Sequence, residues 1–81
     1  MKVSVRLFAA VRDAAGCPLM DVELPEGADV AQLRREMSER LPDISDLIGR
    51  AMFALDNRYA TDTEKLSPNA DVALIPPVSG G

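Results

Sequence analysis

The sequence closes on Pro76-Pro77-Val78-Ser79-Gly80-Gly81, and the group able to do chemistry there is the carboxylate of Gly81. Glycine has no Cβ, so two in succession can thread a channel too narrow for other side chains and take up backbone angles that other residues avoid. Pro76 and Pro77 remove backbone donors and favour an extended polyproline course, which predicts that residues 78–81 project from the body as a flexible tail. Such an end is either a carboxylate handed to another protein or a frayed terminus, since small residues are common where chains end. Other candidates are few. Cys17, the single cysteine, has no base near it in sequence and reads as structural or incidental rather than nucleophilic. The sequence has no histidine, no Gly-rich phosphate loop ending in Lys-Ser/Thr and no clustered metal ligands, so it offers no metal site and no means of activating a carboxylate by itself.

With 81 residues the chain is one domain, close to the size at which a single core just suffices and only about 60% of the unfolded surface is buried. A hydrophobic fraction of 47% with charges spread along the chain argues for a globular fold rather than disorder, outside the tail. No apolar run approaches the ~20 residues of a membrane helix, and Met1-Lys2-Val3-Ser4-Val5 reads as a strand rather than as a signal-peptide core. With one unpaired cysteine, these features predict a cytoplasmic protein that does not engage a membrane. The net charge of −4 disfavours nucleic acid as a partner and predicts a protein partner that is at least locally basic.

The elements that must position the tail follow from periodicity. Lys2–Phe8 alternates, with Val3, Val5 and Leu7 on one face and Ser4, Arg6 and Phe8 on the other, the period of a half-buried strand. Ala9–Ala15 favours a helical turn that Gly16 and Pro18 stop. Leu19–Leu24 alternates again, burying Met20, Val22 and Leu24. Asp29 and Gln32 form a capping box that starts a helix at Val30. Val30, Leu33, Met37 and Leu41 make its apolar stripe, while Arg34, Arg35, Glu36 and Glu39 face water as a solvated surface. Pro42 ends this helix, and residues 43–49 read either as a short helix or as an irregular loop that still packs on the core. Ala51–Leu55 is a third strand, Asp56-Asn57 a turn, Tyr59-Ala60 part of a short further strand, Leu66 a buried anchor and Asp71–Pro76 the last strand. Met20, Met37 and Met52 fit core positions. The order is β-β-α-β-β with a short extra element, an α+β arrangement of a mixed sheet of four to five strands with one main helix on one face.

That order and the Gly-Gly end resemble the ubiquitin-like β-grasp fold. Leu7-Phe8-Ala9-Ala10-Val11-Arg12-Asp13-Ala14-Ala15-Gly16 resembles the opening of the molybdopterin synthase small subunit, the MoaD family of sulfur carriers. Asp71-Val72-Ala73-Leu74-Ile75-Pro76-Pro77-Val78-Ser79-Gly80-Gly81 resembles that family's close. The related thiamine carrier, ThiS, shares fold and diglycine but usually lacks Pro-Pro-Val. The resemblance implies a β-grasp domain over residues 1–77 and a tail at 78–81. It implies that a partner adenylating enzyme of the E1 type uses ATP to activate the Gly81 carboxylate, that a sulfur donor converts it to a thiocarboxylate, and that no cofactor is bound stably. The chain would then donate sulfur in molybdenum cofactor biosynthesis from the active site of the large synthase subunit, two small subunits pairing with two large. On its own it would be no enzyme.

In β-grasp proteins the first and last strands run parallel side by side, which places Phe8 next to Ile75 on the outward face, with Tyr59 at the corresponding edge. An exposed cluster beside a reactive tail reads as a docking surface; the alternative is that residues 9–15 cover Phe8 as ordinary core. Arg12 matches the opening motif and either pairs with a partner, braces Asp13 or is simply solvated. Two other functions share the tail chemistry up to the acyl-adenylate: a carrier for thiamine, cysteine or tRNA thiolation, and a ubiquitin-like modifier conjugated through Gly81 to lysines.

Overall fold

The computed structural model describes residues 1–77, and the expectations placed on Val78, Ser79, Gly80 and Gly81 lie outside them. Five strands form one sheet in the order β2-β1-β5-β3-β4: β1 (Lys2–Leu7), β2 (Leu19–Glu23), β3 (Met52–Leu55), β4 (Arg58–Ala60) and β5 (Val72–Ile75). β1 and β5 are parallel at the centre, with Val5, Arg6 and Leu7 opposite Val72, Ala73 and Leu74, and the other pairings are antiparallel. This is the mixed α+β sheet that the sequence predicts, with the short strand at Tyr59-Ala60 as its fifth member.

The inward face carries Val3, Val5, Leu7, Val22, Phe53, Leu55, Val72 and Leu74, all buried. Over it lies helix α2 (Val30–Arg40), whose Val30, Leu33 and Met37 are fully buried. Asp29 caps α2 in a complete box with Gln32. The next free donors, the N–H groups of Val30 and Ala31, bond the carbonyls of Glu64 and Asp62, so the exposed donors of a helix start are all met. Residues 43–49 resolve as helix: a 3₁₀ turn at Pro42–Ile44 leads into α3 (Ser45–Arg50), which drives Ile48 into the core. Among the described residues no helix is long and apolar enough to cross a membrane.

Two sequence expectations are corrected. Arg34 does not face water. Its Nη1 donates to the carbonyls of Ile48 (2.8 Å) and Ala51 (2.6 Å), its Nη2 meets Asp62 Oδ1 at 2.7 Å, and its guanidinium lies 5.1 Å over the Phe53 ring. The side chain thus ties α2 to the end of α3, the start of β3 and the 61–66 segment. Replacing it with Met keeps the stem but removes the donors to the Ala51 carbonyl and Asp62, and leaves the Ile48 carbonyl only the Ala51 N–H. We expect Arg34→Met to lose about 2–3 kcal/mol in urea unfolding; a loss within error of zero would show the clamp to be dispensable. Met52 is the second correction, being exposed on the outward face rather than in the core. Every residue from Ala51 to Leu55 is apolar, so alternation could not tell one face from the other.

Candidate functional site

Among the described residues no helix covers the outward face of the sheet, and paired residues on neighbouring strands share a face. Arg6 pairs with Leu19 and Ala73, Ala73 with Ala54 and Ala54 with Tyr59, which makes one row across all five strands. The next row toward the end of β5 holds Ile75 opposite Met52, with Phe8 following Leu7 on the neighbouring strand. Among the described residues the large exposed apolar side chains are Phe8 (40% exposed), Leu19 (49%), Met52 (46%) and Tyr59 (64%), and all four stand in these two rows. The opposite end of the face is polar: Ser4 donates to Asp21, and Arg6 grips Asp71 through Nε and Nη2 at 3.0 Å each.

The apolar end is where β5 leaves the sheet. Parallel pairing of β1 and β5 brings Phe8 and Ile75 to the same end, and with Ala9, Leu47, Pro76 and Pro77 they line a groove of about 680 Å³. Its far wall, Leu47, belongs to α3, the helix that Arg34 fastens. Helix α1 (Ala9–Ala15) begins with Ala9 at φ 52°, a left-handed conformation uncommon for a residue with a Cβ. That turn sends the chain back toward the core, where Val11 is buried, and leaves Phe8 outward. Residues 9–15 therefore do not cover Phe8. Gly16 ends α1 at φ 77°, the conformation a glycine C-cap supplies.

The outward face thus brings Phe8, Ile75 and Tyr59 together around a shallow concavity shared with Arg6 and Arg58, and Pro76 and Pro77 border the groove beside it. Arg12 is not brought in. It is exposed on α1, lines neither concavity and has no side-chain partner among the described residues, Asp13 included. Sequence reasoning missed Met52 and the Ala54–Ala73 pair, for which no local signal exists.

Tyr59 is held by its turn: Asp56 (φ 51°) and Asn57 (φ 70°) both take positive φ, as a two-residue hairpin requires and as these residue types tolerate. Next to it Arg58 grips Glu64 with Nη–Oε distances of 3.0 and 2.8 Å, and this bond holds the Glu64 carboxyl below its ordinary value. The pair's contribution is therefore present above the ordinary glutamate range and fades as pH falls through the lowered one. Cys17 is half-buried with a free thiol, and no group of three or more His, Cys, Asp or Glu among the described residues could hold a metal.

Residues 5–81 match the ThiS family. The molybdopterin synthase sulfur carrier subunit of Chlamydomonas reinhardtii is 34% identical over 83 residues, covering 100% of both chains. That of Mycobacterium tuberculosis is 34% identical over 82 residues, covering 100% of this chain and 99% of the relative. Among solved structures, the putative molybdopterin converting factor subunit 1 of Pyrococcus furiosus superposes with a TM-score of 0.83 at 32% identity, over 96% of this chain and 99% of that one. Small archaeal modifier protein 1 of Haloferax volcanii has a TM-score of 0.83 at 22% identity, over 100% of both chains, a likeness of fold. From its strand order, its matched length and these relatives, the chain belongs to the ThiS family of ubiquitin-like β-grasp proteins, in the branch of the molybdopterin synthase sulfur carrier subunits.

Proposed function

We propose that this chain is a sulfur carrier, the small subunit of molybdopterin synthase, and that Gly81 is its reacting residue. The observation that carries the reading is the coincidence of the exposed apolar rows with the end of β5. Phe8 and Ile75 lie at the same end of the sheet as Pro76 and Pro77, the last described residues before the diglycine in sequence, which supports this reading. The carboxylate of Gly81 is a poor electrophile, and a partner of the E1 type must activate it. The carboxylate attacks the α-phosphate of ATP, pyrophosphate leaves, and sulfide-level sulfur from a donor attacks the acyl carbon with loss of AMP, leaving a thiocarboxylate. Transfer of that sulfur to a pterin precursor in the large subunit returns the end to a carboxylate, with water supplying the oxygen.

Phe8, Ile75 and Tyr59 dock on the partner, Pro76 and Pro77 end the pairing of the last strand because proline cannot donate to a ladder, and Val78, Ser79 and Gly80 are the residues between that end and the reacting Gly81. Arg12, exposed on α1 and lining neither concavity, is free to pair with an acidic group of a partner away from the groove. Two small and two large subunits make the complete complex. The test is whether the chain taken from its native host carries sulfur at its end, read as an intact mass.

A further inference from the structure

The centre of the outward face is a hole rather than a plateau. Ala73 on the central strand β5 and Ala54 beside it on β3 are in register, and Arg6, Phe8, Ile75 and Tyr59 stand around them, enclosing a concavity of about 310 Å³. Central strand positions favour β-branched and aromatic residues, whose cross-strand pairs stabilise a sheet. An Ala–Ala pair forgoes that gain, and a local choice that works against the fold marks a place where function sets the residue. Among the described residues only Arg6 and Arg58 bring charge to this lining, and both are cationic. Each is held by its own carboxylate, Arg6 by Asp71 and Arg58 by Glu64. A guanidinium has five N–H donors, so both keep donors beyond those already used.

We propose that this concavity is a socket for the partner subunit. One large apolar side chain of the partner seats on Ala54 and Ala73, and a carboxylate beside it bonds Arg6 or Arg58. The proposal rests on docking through this face and adds what the partner presents there. The net charge of −4 favours a partner that is basic over most of its contact, whereas the socket rim adds a local acidic requirement. Phe8, Ile75 and Tyr59 ring the seated side chain and exclude water, the arrangement in which a few contacts carry most of an interface's energy. Water exclusion also strengthens the charge-assisted bond to the arginine.

The test is calorimetric titration of the cognate large subunit with Ala54→Leu, Ala73→Leu and the double variant Arg6→Gln/Arg58→Gln, at two ionic strengths, with the Tm of each variant. Each leucine should weaken binding roughly ten-fold or more with Tm unchanged or raised. The glutamine pair should weaken binding and flatten its dependence on salt. A folded Ala54→Leu that binds like the parent overturns the proposal, and so does an unchanged salt dependence in the arginine variant. Should a leucine prevent folding, Ala54→Ile, which a strand favours, takes its place. If the parent protein itself fails to bind the large subunit, the docking reading fails and the socket with it; if the parent and the filled variants all bind alike, the socket alone fails.

Discussion

A chain carrying one extra residue after Gly81, or lacking Gly80, is expected to lose sulfur transfer entirely while melting with the parent protein. The first change converts the reacting carboxylate into a peptide bond, which cannot attack the α-phosphate of ATP. The second shortens the reach by one residue, roughly 3.3–3.6 Å of extended chain. That is the distance over which an attack either has or lacks its reacting atoms in contact, and misplacement by as little as 1 Å can cost about a hundred-fold in rate. Stability should be untouched because, among the described residues, the buried ones fall between Val3 and Leu74, and the change leaves that core intact. Transfer is measured with the activating enzyme, ATP, a sulfur donor and the large subunit, and Tm by thermal unfolding. An extended chain that still supports transfer without being trimmed would remove the carboxylate from the account.

Phe8→Asp carries the second large effect. Phe8 is exposed and sits beside Ile75 where the groove and the socket meet, so the substitution replaces an apolar contact with a charge that docking would have to desolvate. Central aromatic anchors of this kind are worth about 2 kcal/mol or more on truncation, which is roughly thirty-fold in Kd. The carboxylate should raise that further, while far-UV circular dichroism stays that of the parent because no core contact is lost. Loss of binding with the fold intact supports docking through this face. An unfolded variant would instead place Phe8 in the core, and a folded variant with parental affinity would move the interface elsewhere.

Much of this architecture is legible in the sequence because it is local. Val3, Val5 and Leu7 alternate with polar neighbours and declare their strand. Asp29 and Gln32 declare the start of α2 three residues apart. Asp56-Asn57 declares a turn by tolerating positive φ. What is not legible depends on pairings distant in sequence. Arg34 lies beside charged residues that do face solvent, and its true partners are carbonyls 14 and 17 residues away. Ala54 and Ala73 look like filler in their own strands and form a socket floor only because β3 and β5 are neighbours in the sheet. α3, at six residues, is too short for a period to separate helix from loop. For the site, the family resemblance implies parallel first and last strands, and that alone is enough to bring Phe8 and Ile75 together. Met52 and Leu19 join them only through the register.

The central claim is that the end of this chain carries sulfur, and intact-mass measurement of the protein isolated from its native host tests it most directly. The account predicts a population heavier than the unmodified chain by the difference between one sulfur and one oxygen atom. The added mass should lie in the C-terminal peptide and be lost on incubation with the large subunit and its pterin substrate. An end that is always a plain carboxylate, even when the activating enzyme and sulfur donor are present, or one found instead in amide linkage to lysines of other proteins, would contradict it.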